Sequence, residues 1–391
     1  MKTKLLLIAA AFLCISLHAF AQISVYSDGS DGVFVVPPNG IVDLSAAVLG
    51  DGVIVKWDTP QSVANQGKGI FDPVKWAIVF KYSSVTIPLG TTITFKNHPS
   101  HAPVVWLVSG SVNISGAVNL DGKGYVTTNI LPEPGPGGFR GGIPGSAALG
   151  IGSPTGNGTT LTANATYSSS YGNTMIVPLI GGSGSSTNNV PNYPGYGGGG
   201  AILIAASNTI NITGSISANG GQYNSAASSS GAIRLIANML SGTGTLNANF
   251  NQGRIRLEAN QVTGSIVPLP QTIAVTPATP YPIIWPADNA PSVKIIDVAG
   301  VAAPVVPYAR LENNPDVEIS VNTATVVTIE TRNFTPTLPV VKVRSAGKFS
   351  ATATLTTATF LSGDAALARW TVSLPFPASS FTTLQAIATV P

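Results

Sequence analysis

The sequence has 391 residues, and only 9% of them are charged, well below the roughly 25% of an average soluble domain. Its 42 Gly and 30 Pro residues instead indicate a chain rich in turns. The formal net charge of +3 comes from 19 basic and 16 acidic residues, without a basic run. We therefore expect no nucleic-acid partner.

Residues 1–21 have the pattern of a secretory signal peptide, with Lys2 and Lys4, the apolar run LLLIAAAFLCISL and then Ala-Phe-Ala. The apolar run is too short for a membrane span, and no later segment gives about 18 apolar residues in succession. We expect cleavage near Gln22 and a secreted or cell-surface protein. The single cysteine, Cys14, lies within the signal, so we expect no disulfide in the mature chain.

Residues 22–75 are acidic and turn-rich, and we expect them to form a strand-rich N-terminal cap. The segment SDGSDG at 27–32 places Asp28 and Asp31 near turn carbonyls, and such oxygens are the ligands that calcium prefers. The segment lacks the spacing and the closing Glu of an EF-hand loop. Calcium binding and simple Asx-turns therefore explain it equally well.

An octet is repeated within the chain: GAIRLIAN at 231–238 returns as GRIRLEAN at 253–260, 22 positions later. Apolar residues alternate along both copies, beginning with Ile233, Leu235 and Ala237, and this is the pattern of a half-buried strand. Related segments begin at 200, 104 and 76. Units of roughly 22–31 residues with Gly or Asn corners are typical of coils of a parallel β-helix. We predict such an all-β solenoid over 76–267.

The coils also resemble a family of secreted, glycine-rich bacterial proteins. The resemblance rests on GAIRLIAN, on GTGTLNAN at 242–249 and on KYSSVTIPLGTTITFKNHPSHAPVVWLVSG at 81–110, and it extends over residues 27 to about 265. It implies a parallel β-helix similar to that of the pectin lyases. It implies no activity and supplies no catalytic residues.

The alternation in the octets predicts outward-facing basic side chains. Arg234, Arg254 and Arg256 would form an exposed ladder with Glu258 nearby, and such a surface ladder contributes little to stability. We therefore expect substitutions of Arg234 or Arg256 to be mild.

Acidic residues are scarce in the solenoid, where only Asp121, Glu133 and Glu258 occur between 77 and 266. A glycosidase needs two carboxylates beside the bond that it cleaves, and a lyase needs a calcium-binding carboxylate cluster with a basic residue. A non-enzymatic protein is therefore the favoured hypothesis. A carbohydrate-active enzyme, either a polysaccharide lyase or a glycosidase, is the alternative.

His98 and His101 stand three residues apart in KNHPSHAPVVW, a spacing at which both imidazoles can bind one metal ion. No Cys, Asp or Glu nearby completes the ligand set. The flanking Pro99 and Pro103 favour a rigid corner instead.

A Gly/Pro/Ser/Tyr-rich insertion at about 123–199 interrupts the coils. Loops of this length on a rigid scaffold often carry recognition, and exposed aromatic side chains can stack on sugars or on a partner surface. A passive cover for the side of the solenoid is the competing interpretation. The candidate contacts for a carbohydrate, or for a cell-surface or matrix component, are Tyr171, Tyr193, Tyr196, Phe139 and Arg140.

The C-terminal third of the chain has a different pattern. Residues 268–291 hold seven prolines and predict a stiff linker. Over 292–391, seven candidate strands recur at regular spacing, among them SVKIIDV, DVEISV and TVVTIET, which is typical of an immunoglobulin-like or fibronectin-like β-sandwich. The sequence as a whole therefore predicts a secreted structural or adhesive protein.

Overall fold

A computed structural model describes most of the chain downstream of the predicted signal peptide. The described residues are 22–49, 60–124, 132–141, 173–185, 195–223, 226–250, 253–269, 273–276, 278–304, 316–320, 324–347, 354–376 and 382–390. Over these ranges the fold is all-β, as the sequence predicts, and the helical structure there consists of three short 3₁₀ turns. None of the described helices could cross a membrane.

The first part of the chain contributes seventeen strands and the 3₁₀ turns Pro38–Gly40, Leu44–Ala46 and Val63–Asn65. The strands are β1 (Gly32–Val33), β2 (Ile41–Asp43), β3 (Ile70–Asp72), β4 (Ala77–Ile87), β5 (Thr92–Lys96), β6 (Val104–Val108), β7 (Val112–Ile114), β8 (Ala117–Asn119), β9 (Ala201–Ile212), β10 (Ser215–Ser217), β11 (Gln222–Tyr223), β12 (Ala226–Ala227), β13 (Ala232–Gly242), β14 (Thr245–Asn247), β15 (Arg254–Val262), β16 (Val267–Leu269) and β17 (Ile273–Val275).

Two mostly parallel sheets contain fifteen of these strands, and β11 and β12 form a separate antiparallel pair. Sheet one has the order β1-β4-β6-β9-β13-β15-β17, with β3 paired to β4 and β7 paired to β4 and β9. Sheet two has the order β16-β14-β10-β8-β5-β2. The repeated octets lie side by side in sheet one, where Leu235 pairs with Leu257 and Ala237 with Ala259. The 22-residue interval is thus the chain length that returns the backbone to the same place one strand further along.

The main core lies between the two sheets. Leu235 of sheet one and Ile216 and Leu246 of sheet two are fully buried in one apolar cluster with Trp106 and Phe80. Burial of each such side chain contributes on the order of 1.5–3 kcal/mol. The inward assignment of Ile233, Leu235 and Ala237 is therefore confirmed.

The opposite face of sheet one is also buried, whereas the alternation in the sequence predicted that it would be exposed. Leu203 and Ile236 pack there against Ile23, Ile176 and Ile284, three residues from distant parts of the chain. A parallel sheet covered on both faces is the usual arrangement. The expected exposed arginine ladder is consequently buried: Arg234 has 0% and Arg256 6% of its surface exposed.

Described parts of the insertion form a glycine-rich layer with two later segments, and we define this layer as residues 132–141, 181–185, 195–200, 219–221 and 228–231. Its segments form no ladder of strands but are joined by backbone hydrogen bonds, such as Phe139 N to Gly182 O (2.9 Å) and Gly182 N to Gly199 O (2.7 Å). A Cβ atom at Gly198 or Gly231 would overlap a neighbouring carbonyl. The glycines are thus needed for close backbone approach, and this part of the insertion belongs to the packed fold.

The C-terminal part forms two antiparallel sheets. Its strands are β18 (Ser292–Val298), β19 (Val301–Ala302), β20 (Ala324–Arg332), β21 (Val340–Gly347), β22 (Thr354–Thr357), β23 (Thr359–Gly363), β24 (Leu367–Pro375) and β25 (Thr382–Thr389). Sheet three has the order β19-β18-β20-β24-β23 and sheet four the order β22-β21-β25.

An apolar cluster joins sheets three and four. Val327 and Trp370 of sheet three and Val341 and Val343 of sheet four belong to it. The expected strand DVEISV does not form over 316–320, and β23 occupies the sheet edge beside β24.

Candidate functional site

A tryptophan at the start of β4 is held in a strained backbone conformation. Trp76 has a φ of 48°, which is uncommon for a bulky side chain and costs on the order of 1–3 kcal/mol. The preceding turn is fixed by Asp72, whose carboxylate accepts hydrogen bonds from Val74 N (2.8 Å) and Lys75 N (2.9 Å). The Trp76 indole N–H then donates to Ser100 O at 3.0 Å. Both the backbone of Trp76 and its indole N–H are therefore held in place, while the ring remains partly exposed.

The loop that receives this indole carries both histidines of the H-x-x-H motif. His98 Nδ1 accepts a hydrogen bond from Ser100 N at 3.0 Å and lies 2.7 Å from Ser100 Oγ. Its ring packs on Phe71, with 4.3 Å between the ring centroids. His101 is only 2% exposed and has a φ of 53°. The first imidazole thus uses Nδ1 within its own turn, and the second is enclosed by the fold.

Residues 133–139 of the insertion contact Trp76 and the loop that carries the two histidines. The ring of Phe139 lies beside that of Trp76, with a centroid distance of 6.1 Å and an angle of 32° between the planes. Asn97 donates to Glu133 Oε1 (3.0 Å) and to Pro134 O (2.7 Å), and Gly137 N donates to His101 O (2.7 Å). We call the group Phe71, Trp76, His98, His101, Phe139 and Arg140 the Trp76 cluster.

Both imidazoles of the Trp76 cluster are held in the neutral state near pH 7. Burial, together with the nearby positive charge of Arg140, lowers the pKa of His101 to about 4. Burial also lowers the pKa of His98. The two neutral imidazoles and the nearby carboxylate of Glu133 suit hydrogen bonding to a polar, uncharged ligand, and the partly exposed rings suit stacking on it.

The five residues proposed from the sequence as partner contacts do not form one exposed surface. Phe139 is partly exposed and belongs to the Trp76 cluster, whereas Arg140 (3% exposed) and Tyr196 (9%) are buried. Tyr171 and Tyr193 lie outside the described residues. Trp76 was missed, although a tryptophan directly before the first apolar repeat was the available signal.

The proposed calcium ligands lie beside a lysine. Asp28 Oδ2 is 3.1 Å from Lys81 Nζ, and Asp31 accepts hydrogen bonds from Lys81 N (2.6 Å) and Gly67 N (2.9 Å). Burial raises the pKa of Asp31. Burial also acts to raise the pKa of Asp28, but hydrogen bonds from Ser30 and Lys81 outweigh it and lower that pKa. Asp28 thus pairs with the ammonium group of Lys81, whereas Asp31 accepts hydrogen bonds from backbone N–H groups.

A small cleft lies next to Asp31. Its volume is about 280 Å³, at the lower limit for pockets that enclose a drug-sized molecule, and Phe34, Val42, Gln66 and Tyr82 contribute to its walls. Among the described residues, His, Cys, Asp and Glu form no group of three or more that could hold a metal ion. The Trp76 cluster is therefore the region with the most features of a binding site.

No family model, no curated protein and no solved structure matches the chain.

Proposed function

We propose that the protein is an exported parallel β-helix that binds carbohydrate through Trp76 and Phe139, without cleaving it. The observation that carries this proposal is the position of these two partly exposed rings. Their centroids lie 6.1 Å apart, although residues 76 and 139 are far apart in sequence. The strain at Trp76 supports a functional role, because a strained conformation persists only where the surrounding structure enforces it.

The β-helix assignment is supported by how each repeat is divided between the sheets. β9 and β10 follow one another in the chain and lie in sheets one and two, and β13 with β14 and β15 with β16 repeat this arrangement. Successive repeats pair in parallel, as in Ile216 with Leu246. The antiparallel sheets three and four, which share an apolar cluster, support an immunoglobulin-like C-terminal unit.

Carbohydrate suits the Trp76 cluster because a sugar ring has an apolar C–H face and hydroxyls at its edge. The two aromatic rings offer an apolar surface for the face. Glu133 and His98 are partly exposed, and they offer a carboxylate and an imidazole for hydrogen bonds to the hydroxyls. The neutral imidazoles favour an uncharged ligand over an acidic one.

Binding to a panel of immobilised neutral and acidic polysaccharides tests the proposal, with release of reducing or unsaturated ends measured in parallel. We expect retention on at least one neutral glycan, no new ends, and loss of retention in Phe139→Ala. Tyr281→Ala is the matched control, since Tyr281 is an aromatic residue with 71% of its surface exposed.

Thermal melting of each variant separates loss of binding from loss of folding. Retention that is equal in the wild type and in a folded Phe139→Ala variant would remove the Trp76 cluster as the site. Release of new ends by the wild type would instead favour the carbohydrate-active enzyme.

A further inference from the structure

The buried face of sheet one holds two guanidinium groups and one carboxylate. Glu258 Oε1 accepts hydrogen bonds from Arg234 Nε at 2.8 Å and from Arg256 Nε at 2.9 Å. The side chains of Arg234, Arg256 and Glu258 are 0%, 7% and 3% exposed. Because an arginine remains protonated in proteins, these three side chains together carry a net charge of one positive unit away from water.

The segments nearest to this group in sequence supply no second acid to balance that charge. Residues 134–257 contain no Asp or Glu, and neither do residues 259–287, so neither the insertion nor the segment that covers sheet one can contribute a carboxylate. The next acid, Asp288, lies 2.9 Å from Lys75 Nζ. Burial and the neighbouring Arg256 lower the pKa of Arg234, as expected for a cation in a dry, positively charged environment.

Arg234 also has donor groups that find no acceptor among the described residues. Its Nη1 is buried and makes no hydrogen bond within that part of the chain. Its Nη2 lies 2.8 Å from Glu258 Oε1 but makes no hydrogen bond there. The Nη1 of Arg256, by contrast, donates to Thr174 O at 3.2 Å. A buried donor without an acceptor is costly, about 1–3 kcal/mol and more for a charged group.

We propose that Arg234 and Arg256 form a buried site for a small monovalent anion of the halide class. A single negative charge would neutralise the group, whereas a divalent anion such as sulfate would leave the opposite excess. A halide is compact, and it accepts hydrogen bonds from several directions without requiring a particular geometry. The full burial of Arg234 excludes ligands as large as a sugar acid.

The anion would also stabilise the attachment of the insertion. Arg256 already contacts the insertion through Thr174 O, and Ile176 and Leu179 of the same segment pack on sheet one. Neutralising the two guanidinium groups removes their mutual repulsion beneath this segment. The order of residues 173–180 should therefore depend on the anion.

Thermal denaturation in sodium bromide and in sodium gluconate at equal ionic strength tests the proposal, because gluconate is monovalent but too large for the site. We expect a saturable rise in Tm with bromide of about 2–4 °C, and a bromide peak within contact distance of Arg234 in anomalous diffraction. Arg234→Met removes the excess charge and should abolish the rise. Arg332→Met, at a side chain that is 54% exposed, should preserve it.

Equal melting of the wild type in the two salts, with no bromide peak at Arg234, would overturn the proposal. A bromide-dependent rise that persists in Arg234→Met would overturn it as well, since the effect would then be general. If Arg234→Met fails to fold, the presence or absence of the bromide peak at Arg234 in the wild type decides whether the site binds the anion.

Discussion

Arg234 and Glu258 are diagonal neighbours on adjacent parallel strands, and Arg234 Nε donates to Glu258 Oε1 across 2.8 Å. The two copies of the octet explain this contact. Glu258 occupies the position that Ile236 holds in the first copy, so the second copy differs from the first where a carboxylate is needed beside the arginine. The two repeats are thus complementary in charge as well as similar in shape.

Replacing Glu258 with Gln should therefore destabilise the protein strongly. The substitution keeps the volume but leaves two buried guanidinium groups without a counter-charge, a change that costs about 3–5 kcal/mol. Urea denaturation of the variant measures it. Glu330→Gln is the control, because its partners Arg332 and Arg369 are each 54% exposed and such pairs contribute about 0–1 kcal/mol. Equal losses in the two variants would contradict the burial of the Arg234 group.

The glycine-rich layer should not tolerate a single methyl group. Gly231→Ala would place Cβ against the carbonyl oxygen of Gly200, and because backbone atoms cannot rotate away we expect a loss of about 3 kcal/mol or more. Gly90→Ala is the control, since Gly90 has a φ of 80° with open space around it and should lose about 1–2 kcal/mol. Thermal or urea denaturation compares them. A milder effect at Gly231 than at Gly90 would show that the layer can expand.

The sequence predicted one face of sheet one correctly and the other incorrectly, and the reason is physical. Alternation identifies the residues that share a face, as it did for Leu235 and Leu257. It does not indicate whether the opposite face meets water or another segment. Ile176 and Ile284, which cover that face, are separated from the octets by tens of residues. The contact between Trp76 and Phe139 could not be predicted from the sequence for the same reason, because these residues meet only when the insertion folds back onto the start of β4.

The position at which the chain is shortened should decide whether the part with sheets one and two folds alone. A chain that ends at residue 291 retains Ala278 and Ile284, which pack on the buried face of sheet one, whereas a chain that ends at residue 268 loses them and exposes the part of the face that they cover. We expect a β-type circular dichroism spectrum and a cooperative melt for the first chain, and aggregation for the second. Cooperative melting of both at the same temperature would mean that the covering segment is dispensable.

His101 should make the protein sensitive to acid. Its pKa is about 4 in the folded state and 6.5 in the reference state, so between these values the unfolded chain binds more protons than the folded one. The stability that depends on neutral His101 is therefore fully present above about pH 6.5 and is lost as the pH falls towards 4, by about 3 kcal/mol in total. Asp31 and Asp121 act in the opposite direction, because burial raises their pKa values.

His101→Asn isolates this contribution. Asn tolerates the left-handed backbone at φ 53° and retains the backbone hydrogen bonds from His101 N to His98 O and from Gly137 N to His101 O. Urea denaturation of both proteins at several pH values between 4 and 7 should show a shallower loss of stability on acidification in the variant. A residual loss should remain, because burial also lowers the pKa of His98. Parallel pH profiles for the two proteins would mean that the imidazole of His101 is not held neutral by the fold.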